Sequence, residues 1–211
     1  MTYVIQIEGN IGAGKTTFIK YLHDKLKLKS IETIYEPIEE WKDMKGYDLF
    51  KLYYNDKTQY AELFQTYVLL TTLKKHLLSN FSHKDNCIII CERSILANVY
   101  CFAQYLLNIN EIRVEFFQMC CDILEKYKSD IIQPDLIIYL KTENINILHS
   151  RIKQRNRDSE SNISLKYLQD LNQIYDQYIK TFQCPIIKVD INEMDHDNIF
   201  QSILDHIRGA R

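Results

Sequence analysis

Five short β-branched runs punctuate the chain: YVIQIE (3–8), IETIYE (31–36), NCIIICE (86–92), DLIIYL (135–140) and PIIKVD (185–190). Their apolarity is continuous instead of alternating, which predicts strands buried on both faces, as in a parallel sheet. Between the runs the apolar spacing lengthens to that of helices. Phe18, Leu22 and Leu26 mark one face after the first run, and Phe64, Val68 and Leu77 mark a long helix across roughly 57–81. Strand then helix, repeated, predicts an α/β fold with a five-stranded parallel sheet flanked by helices. The 211 residues carry five glycines, three prolines and no Pro/Gly/Ser linker, so 1–211 reads as one domain.

The first run leads into GNIGAGKT, residues 9–16, which satisfies G-x-x-x-x-G-K-[ST] with a strand before it and a helix after it. Glycines let backbone N–H groups curl around an anion, and the helix N-terminus adds its dipole. Gly9, Asn10, Ile11, Gly12, Ala13, Gly14, Lys15, Thr16 and Thr17 are therefore expected to hold the phosphates of ATP or another nucleoside triphosphate. Lys15 is expected to reach the β/γ-phosphates and Thr16 to help ligate Mg²⁺. Ligands of such sheets gather at the carboxyl ends of strands, where three runs finish in acid: Glu8, Glu36 and Glu92. Glu8 precedes the loop itself and reads as structural. Glu92 falls where a second Mg²⁺-orienting carboxylate sits, and Glu36 falls where an attacking hydroxyl would lose its proton. DMKG (43–46) fits D-x-x-G by letter, but no buried strand precedes it and no N-K-x-D follows, so a GTPase switch is not expected.

Composition narrows the class further. At 46% hydrophobic and 26% charged the chain can bury a full core. Its net charge of −2 argues against a nucleic-acid partner, so a charged ligand must be met by a local cluster. The six cysteines form no CxxC pair, and the six histidines form no HxxxH pair or Cys/His ligand set. No apolar stretch approaches a membrane span, and the first one is short and runs straight into the glycine loop, so no leader peptide is expected. A soluble, cytoplasmic protein with reduced thiols is expected.

Six landmarks then follow one another in a specific order: EGNIGAGKTT (8–17), EPIEEW (36–41), LFQTYVLL (63–70), CERS (91–94), PDLIIYL (134–140), and RIKQRNRDSE (151–160) with SLKYLQDL (164–171). In them the chain resembles, over nearly its whole length, the deoxynucleoside kinases, the group of deoxycytidine, deoxyguanosine and mitochondrial-type thymidine kinases. The resemblance implies a P-loop kinase fold with an arginine-rich lid at about 151–162. It also implies a small-molecule deoxynucleoside as acceptor and a homodimer built through the helices after strands 2 and 3, where Phe116, Phe117, Cys120 and Cys121 offer apolar surface. Glu36 would be the general base for the nucleoside 5′-hydroxyl, and Arg93 would hold Glu36 and pair with the transferring phosphoryl. Gln65 would read the base edge, while Trp41, Phe64, Val68 and Phe102 would wall its pocket. Tyr54 and Glu160 would bond the sugar 3′-hydroxyl. Arg151, Arg155 and Arg157 would pair with the nucleotide phosphates. The INEMD loop, with Glu193, Met194 and Asp195, would meet the adenine mainly through backbone.

Two positions depart from the pattern. Thr72 and Asn98 stand where purine- and cytosine-preferring relatives have an arginine and an aspartate, and where thymidine-preferring relatives have small apolar residues. Broad or thymidine-type acceptance is expected, because loss of the bulky arginine leaves room for a 5-methyl group. A thymidylate-type monophosphate kinase and a non-catalytic nucleotide-binding module are the alternatives. The first would need an arginine beside the strand-2 Glu-Pro, where Tyr35 stands, and the second is disfavoured by the complete set of site residues.

Overall fold

A computed structural model of the chain describes residues 2–26, 31–81, 87–160 and 162–209. The strands are β1 (Tyr3–Gly9), β2 (Ile31–Ile34), β3 (Ile88–Glu92), β4 (Leu136–Lys141) and β5 (Ile186–Asp190). The helices are α1 (Lys15–Leu26), α2 (Ile38–Lys42), α3 (Leu49–Asn55), α4 (Lys57–Phe81), α5 (Ile95–Ala97), α6 (Gln104–Asn108), α7 (Val114–Lys126), α8 (Ile145–Gln154), α9 (Leu165–Tyr178) and α10 (His196–Gly209). A π-helical turn, Asn98–Ala103, joins α5 to α6.

All four strand pairings are parallel, in the order β2-β3-β1-β4-β5. The unbroken apolarity of the runs has its cause here. Ile5 and Ile7 of β1, Ile89 and Ile90 of β3, and Leu136 to Ile138 of β4 are all fully buried, because helices cover both faces of the sheet. Phe18, Ile19 and Leu22 close one side from α1. The long helix α4 covers 57–81 as its periodicity predicts.

Two boundaries differ from expectation. β2 ends at Ile34, so Glu36 lies beyond the strand and not at its last residue. Pro37 is the reason: it forms the cap position of α2, lacks an N–H for the sheet, and restricts the residue before it. The charged 151–162 segment is not wholly a loop either. Arg151 belongs to α8, whose Leu148 and Ile152 pack into the core, and a 3-10 turn covers Asp158–Glu160. Asn86 of the third run and Ser161 of the lid lie outside the described residues. Of the proposed apolar contact residues, Phe116 and Cys120 face the core, while Phe117 and Cys121 are half-buried. Among the described residues no helix is long and apolar enough to cross a membrane.

One core residue has a consequence for stability. His76 of α4 is 1% exposed, and neither ring nitrogen has a hydrogen-bond partner among the described residues. Burial alone pulls its pKa down to about 4. Below its ordinary value of about 6.5 the unfolded chain takes up a proton that the folded chain refuses. Stability should therefore be intact above pH 6.5 and fall by about 3 kcal/mol as pH drops from 6.5 to 4. Chemical denaturation of the native chain and of His76→Leu at pH 7.5 and pH 5 checks this; a variant that loses as much stability as the native chain would refute it.

Candidate active site

The phosphate loop is moulded by its glycines. Gly9 has φ 148°, and a Cβ there would sit 2.5 Å from the Leu140 carbonyl oxygen of β4. Gly12 has φ 79°, and its Cβ would sit 2.7 Å from the Leu148 carbonyl of α8. Both positions need an absent side chain as well as the left-handed backbone. Asn10 ties the loop to α9, donating through Nδ2 to the Leu168 carbonyl at 2.8 Å while its Oδ1 accepts from Ile11 N at 2.7 Å. Lys15, 6% exposed, donates from Nζ to the carbonyls of Gly9 at 3.1 Å and Asn10 at 3.0 Å. Burial, with repulsion from Arg93, draws its pKa down to about 8.

Beside the loop, β3 delivers Glu92 and Arg93. Arg93 donates from Nε to Glu36 Oε1 at 2.6 Å and from Nη1 to the Gly9 carbonyl at 3.1 Å. Its guanidinium lies 4.6 Å over the Phe102 ring and 5.5 Å from that of Tyr175. Arg93 adopts φ 61°, a left-handed conformation that a side chain this large rarely takes. The turn is held from below by Glu8, which is fully buried and accepts from Ser94 N at 3.0 Å and from Gln6 Nε2 at 2.7 Å. Burial raises the pKa of Glu8, opposed in part by Arg93.

The other two acids face the loop with opposite tendencies. Burial would lift the pKa of Glu36, but the charges of Arg93 and Lys15 outweigh it and hold the carboxyl below its ordinary value. Glu92 is pushed upward by burial and by repulsion from Glu36. Thr16 Oγ1 donates to Glu92 Oε1 at 2.5 Å. A hydroxyl and a carboxylate side by side at a phosphate loop form the hard-oxygen set that Mg²⁺ takes alongside phosphates and water. Among the described residues no group of three His, Cys, Asp or Glu side chains gathers as a metal cage.

A cavity of about 660 Å³ joins these groups to an aromatic chamber. All ten acceptor-side residues expected from the sequence line it: Glu36, Trp41, Tyr54, Phe64, Gln65, Val68, Arg93, Asn98, Phe102 and Glu160. Trp41 packs edge-on to Phe64 at 5.8 Å and donates from Nε1 to Thr71 Oγ1 at 2.9 Å, so its plane is fixed. Asn98 Nδ2 donates to Thr72 Oγ1 at 3.1 Å, which makes a neutral, buried pair where a charged one was conceivable.

The lid arginines also reach the cavity, but not equally free. Arg155 grips Glu160 through two bonds of 2.6 Å, and Arg157 lies 3.5 Å from the same carboxylate. Arg151 instead reaches the carbonyls of Ala13 at 3.3 Å and Ile191 at 3.4 Å. Of the INEMD loop, Met194 lines the cavity, whereas Glu193 and Asp195 do not. The Asp195 carboxylate is taken up in accepting the N–H groups of Asp197 and Asn198. Gly9 and Asn10 shape the loop from behind without lining the cavity.

Seven further residues line it that the motifs had not singled out: Phe18, Ile38, Phe50, Tyr53, Gln154, Tyr167 and His196. Most are aromatic or apolar residues on helical faces, where sequence spacing gives the same signal for core and for cavity wall. Ile38, Gln154 and Tyr167 had a local hint, since they sit in the EPIEEW, RIKQRNRDSE and SLKYLQDL landmarks.

Comparison with known proteins identifies the family. The deoxynucleoside kinase family pattern matches residues 5–210. Human mitochondrial thymidine kinase 2 is 28% identical over 177 residues, covering 83% of this chain and 64% of that protein. A probable deoxycytidine kinase of fowlpox virus is 31% identical over 212 residues, with 96% and 86% covered. Human deoxycytidine kinase is 28% identical over 235 residues, with 97% and 89% covered. The chain thus spans somewhat under two thirds of the thymidine kinase and most of the other two. With the match running from the first strand to the last helix, the chain belongs to the deoxynucleoside kinase family.

Proposed function

We propose that the chain is an ATP-dependent deoxynucleoside kinase, transferring the γ-phosphoryl of ATP or another nucleoside triphosphate to the 5′-hydroxyl of a deoxyribonucleoside for nucleotide salvage. The observation that carries the reading is the 2.6 Å Glu36–Arg93 pair, set between the phosphate loop and the aromatic chamber of one cavity. Held below its ordinary pKa, Glu36 is ionised at neutral pH and ready to accept the hydroxyl proton. Accepting it removes the negative partner of Arg93, whose charge then turns to the phosphoryl oxygens as theirs builds up. Lys15 and the loop N–H groups hold the donor phosphates, and Arg151, Arg155 and Arg157 are the lid cations within reach. Thr16 and Glu92 would hold Mg²⁺, which when bound neutralises phosphate charge.

At the acceptor end Tyr54 and Glu160 would take the 3′-hydroxyl and the aromatic walls the base. The base edge would meet two neutral amides, Gln65 and Asn98. Because the Thr72 hydroxyl can accept or donate, Asn98 can present either polarity to the base. This supports broad acceptance, thymidine included. Offering thymidine, deoxycytidine, deoxyadenosine, deoxyguanosine and thymidine monophosphate in turn tests the reading. Turnover of the monophosphate alone, or of nothing, would sink it.

A homodimer is part of the same proposal. Leu63 and Leu70, two turns apart on α4, and Val114 and Met119 on α7 are all about half exposed, an unusual amount of apolar surface for facing water. Sedimentation at the mass of two 25.2 kDa chains is the expected result. The six unpaired thiols, four of them buried, suit a reducing compartment such as the cytoplasm.

A further inference from the structure

Arg93 is strained at φ 61°, and strain of this kind persists only where its surroundings over-determine it. The surroundings here grip the backbone on both sides of its Cα. The Arg93 N–H donates to the Ile7 carbonyl of β1 at 3.0 Å, and the next N–H, that of Ser94, donates to Glu8 Oε1 at 3.0 Å. Consecutive residues of β1 thus take the N–H groups that bracket the strained residue. The Ser94 side chain is held as well. Its Oγ accepts from Ala97 N at 3.0 Å, at the start of α5, and pairs with the Tyr178 hydroxyl of α9 at 2.6 Å. Glu8, Ser94 and Tyr178 are buried, and none of them lines the cavity. Glu8 is a poor choice for mere filling. Its Oε2 has no hydrogen-bond partner among the described residues, a cost that an apolar side chain would not carry.

Resting on the kinase reading above, we propose that Glu8 and Tyr178 are positioning residues of the transfer: by holding Ser94 they aim Arg93, and through Arg93 the base Glu36. With its backbone fixed, the Arg93 side chain leaves the turn already directed at Glu36 Oε1 and the Gly9 carbonyl. Neither Glu8 nor Tyr178 needs to touch a substrate for its loss to be felt, because a shift of about 1 Å at the reacting groups can cost about 10²-fold in rate. Glu36 also reports on the aim of Arg93. It is faced by Arg93 from the turn, Lys15 from α1, Arg155 from the lid and Glu92 from β3. Burial pushes the Glu36 pKa up, and Arg93 is the largest of the charges that hold it down. If Arg93 swings away, Glu36 takes up its proton at a higher pH, and the acid limb of kcat/KM moves up with it.

The test separates aiming from folding. For the native chain, Glu8→Met, Glu8→Gln and Tyr178→Phe, kcat and both KM values are measured at pH 7.5, and kcat/KM is followed down to pH 5. Glu8→Met should lower kcat roughly 10–100-fold while both KM values stay within about threefold of native. Its deficit in kcat/KM should widen as pH falls, since its acid limb lies higher. Glu8→Gln keeps an acceptor for Ser94 N and should recover kcat to within about fivefold of native. Tyr178→Phe removes one hydroxyl and keeps the packing, and should lower kcat about fivefold with both KM values held. Native kcat in Glu8→Met or in Tyr178→Phe overturns the proposal. So does a loss carried by KM, a deficit that is flat with pH, or a glutamine variant as slow as the methionine one. Should Glu8→Met not fold, Tyr178→Phe and Glu8→Gln decide by the same criteria. A native chain that phosphorylates none of the four deoxynucleosides overturns the kinase reading itself, and this proposal with it.

Discussion

Glu36→Gln lowers kcat by roughly 10²–10⁴-fold, while ATP affinity stays within about threefold of native. Glutamine has the volume of glutamate and can still accept from Arg93 Nε, so the 2.6 Å contact survives as a hydrogen bond from the cation to a neutral amide oxygen. What disappears is the capacity to take the hydroxyl proton, together with the negative charge that Arg93 faces. The hydrogen bonds that organise the phosphate loop run through Gly9, Asn10 and Lys15 and none involves Glu36, which is why donor binding is spared. Steady-state kinetics with calorimetric ATP binding decides the matter. A kcat within tenfold of native would move the proton to another acceptor, and Glu92, with its raised pKa, would be the next to examine.

Arg93→Met acts on the fold as well as on the reaction. The native guanidinium is 4% exposed and opposes two carboxylates, Glu36 in front and the fully buried Glu8 behind. Methionine fills similar space but leaves both acids without their cation, and breaking a buried pair from one side costs about 3–5 kcal/mol. The same change removes the bond to the Gly9 carbonyl and the cation over Phe102. Urea denaturation at pH 7.5 should register that loss, and activity should fall below detection. The gap in denaturation midpoint between the variant and the native chain should narrow on acidification, because protonating Glu8 and Glu36 removes the unpaired charge while both chains keep His76. A stability loss under about 1 kcal/mol would mean that water or relaxation solvates the two acids better than their burial implies.

The sheet and the phosphate loop are legible in the chain because each is written in local chemistry. Short, continuous, β-branched runs favour strands covered on both faces, and G-x-x-x-x-G-K-T needs only its own backbone to close around an anion. The end of β2 is less legible, since continued apolarity suggests strand through Glu36 while Pro37 bends the chain away first. Arg151 looks like part of a polar loop, yet α8 extends beneath it because Leu148 and Ile152 bury one helical stripe. The acceptor residues became readable only through the ordered landmarks, since Trp41, Phe64 and Phe102 in isolation carry the same signal as helix core. His196 could not be found at all from spacing. Its place depends on α1 and α10, about 175 residues apart in the chain, meeting through Tyr21 and Asp197. Glu8 is legible too: it precedes the loop and reads as structural, and the pleat of β1 turns it into the core.

The carbonyl oxygen of Gly9 accepts from Lys15 on the donor side and from Arg93 on the acceptor side, each at 3.1 Å. Two cations that share one oxygen at that distance stand no more than about 6 Å apart. The spacing between Lys15 and Arg93 is thereby set by a peptide group, which no substitution of a side chain can delete. Side chains such as Thr72 and Asn98, which bond each other in the chamber wall, can change without disturbing that gauge. The oxygen itself is displaced by a change at position 9, where any side chain would collide with the Leu140 carbonyl and push it off its mark.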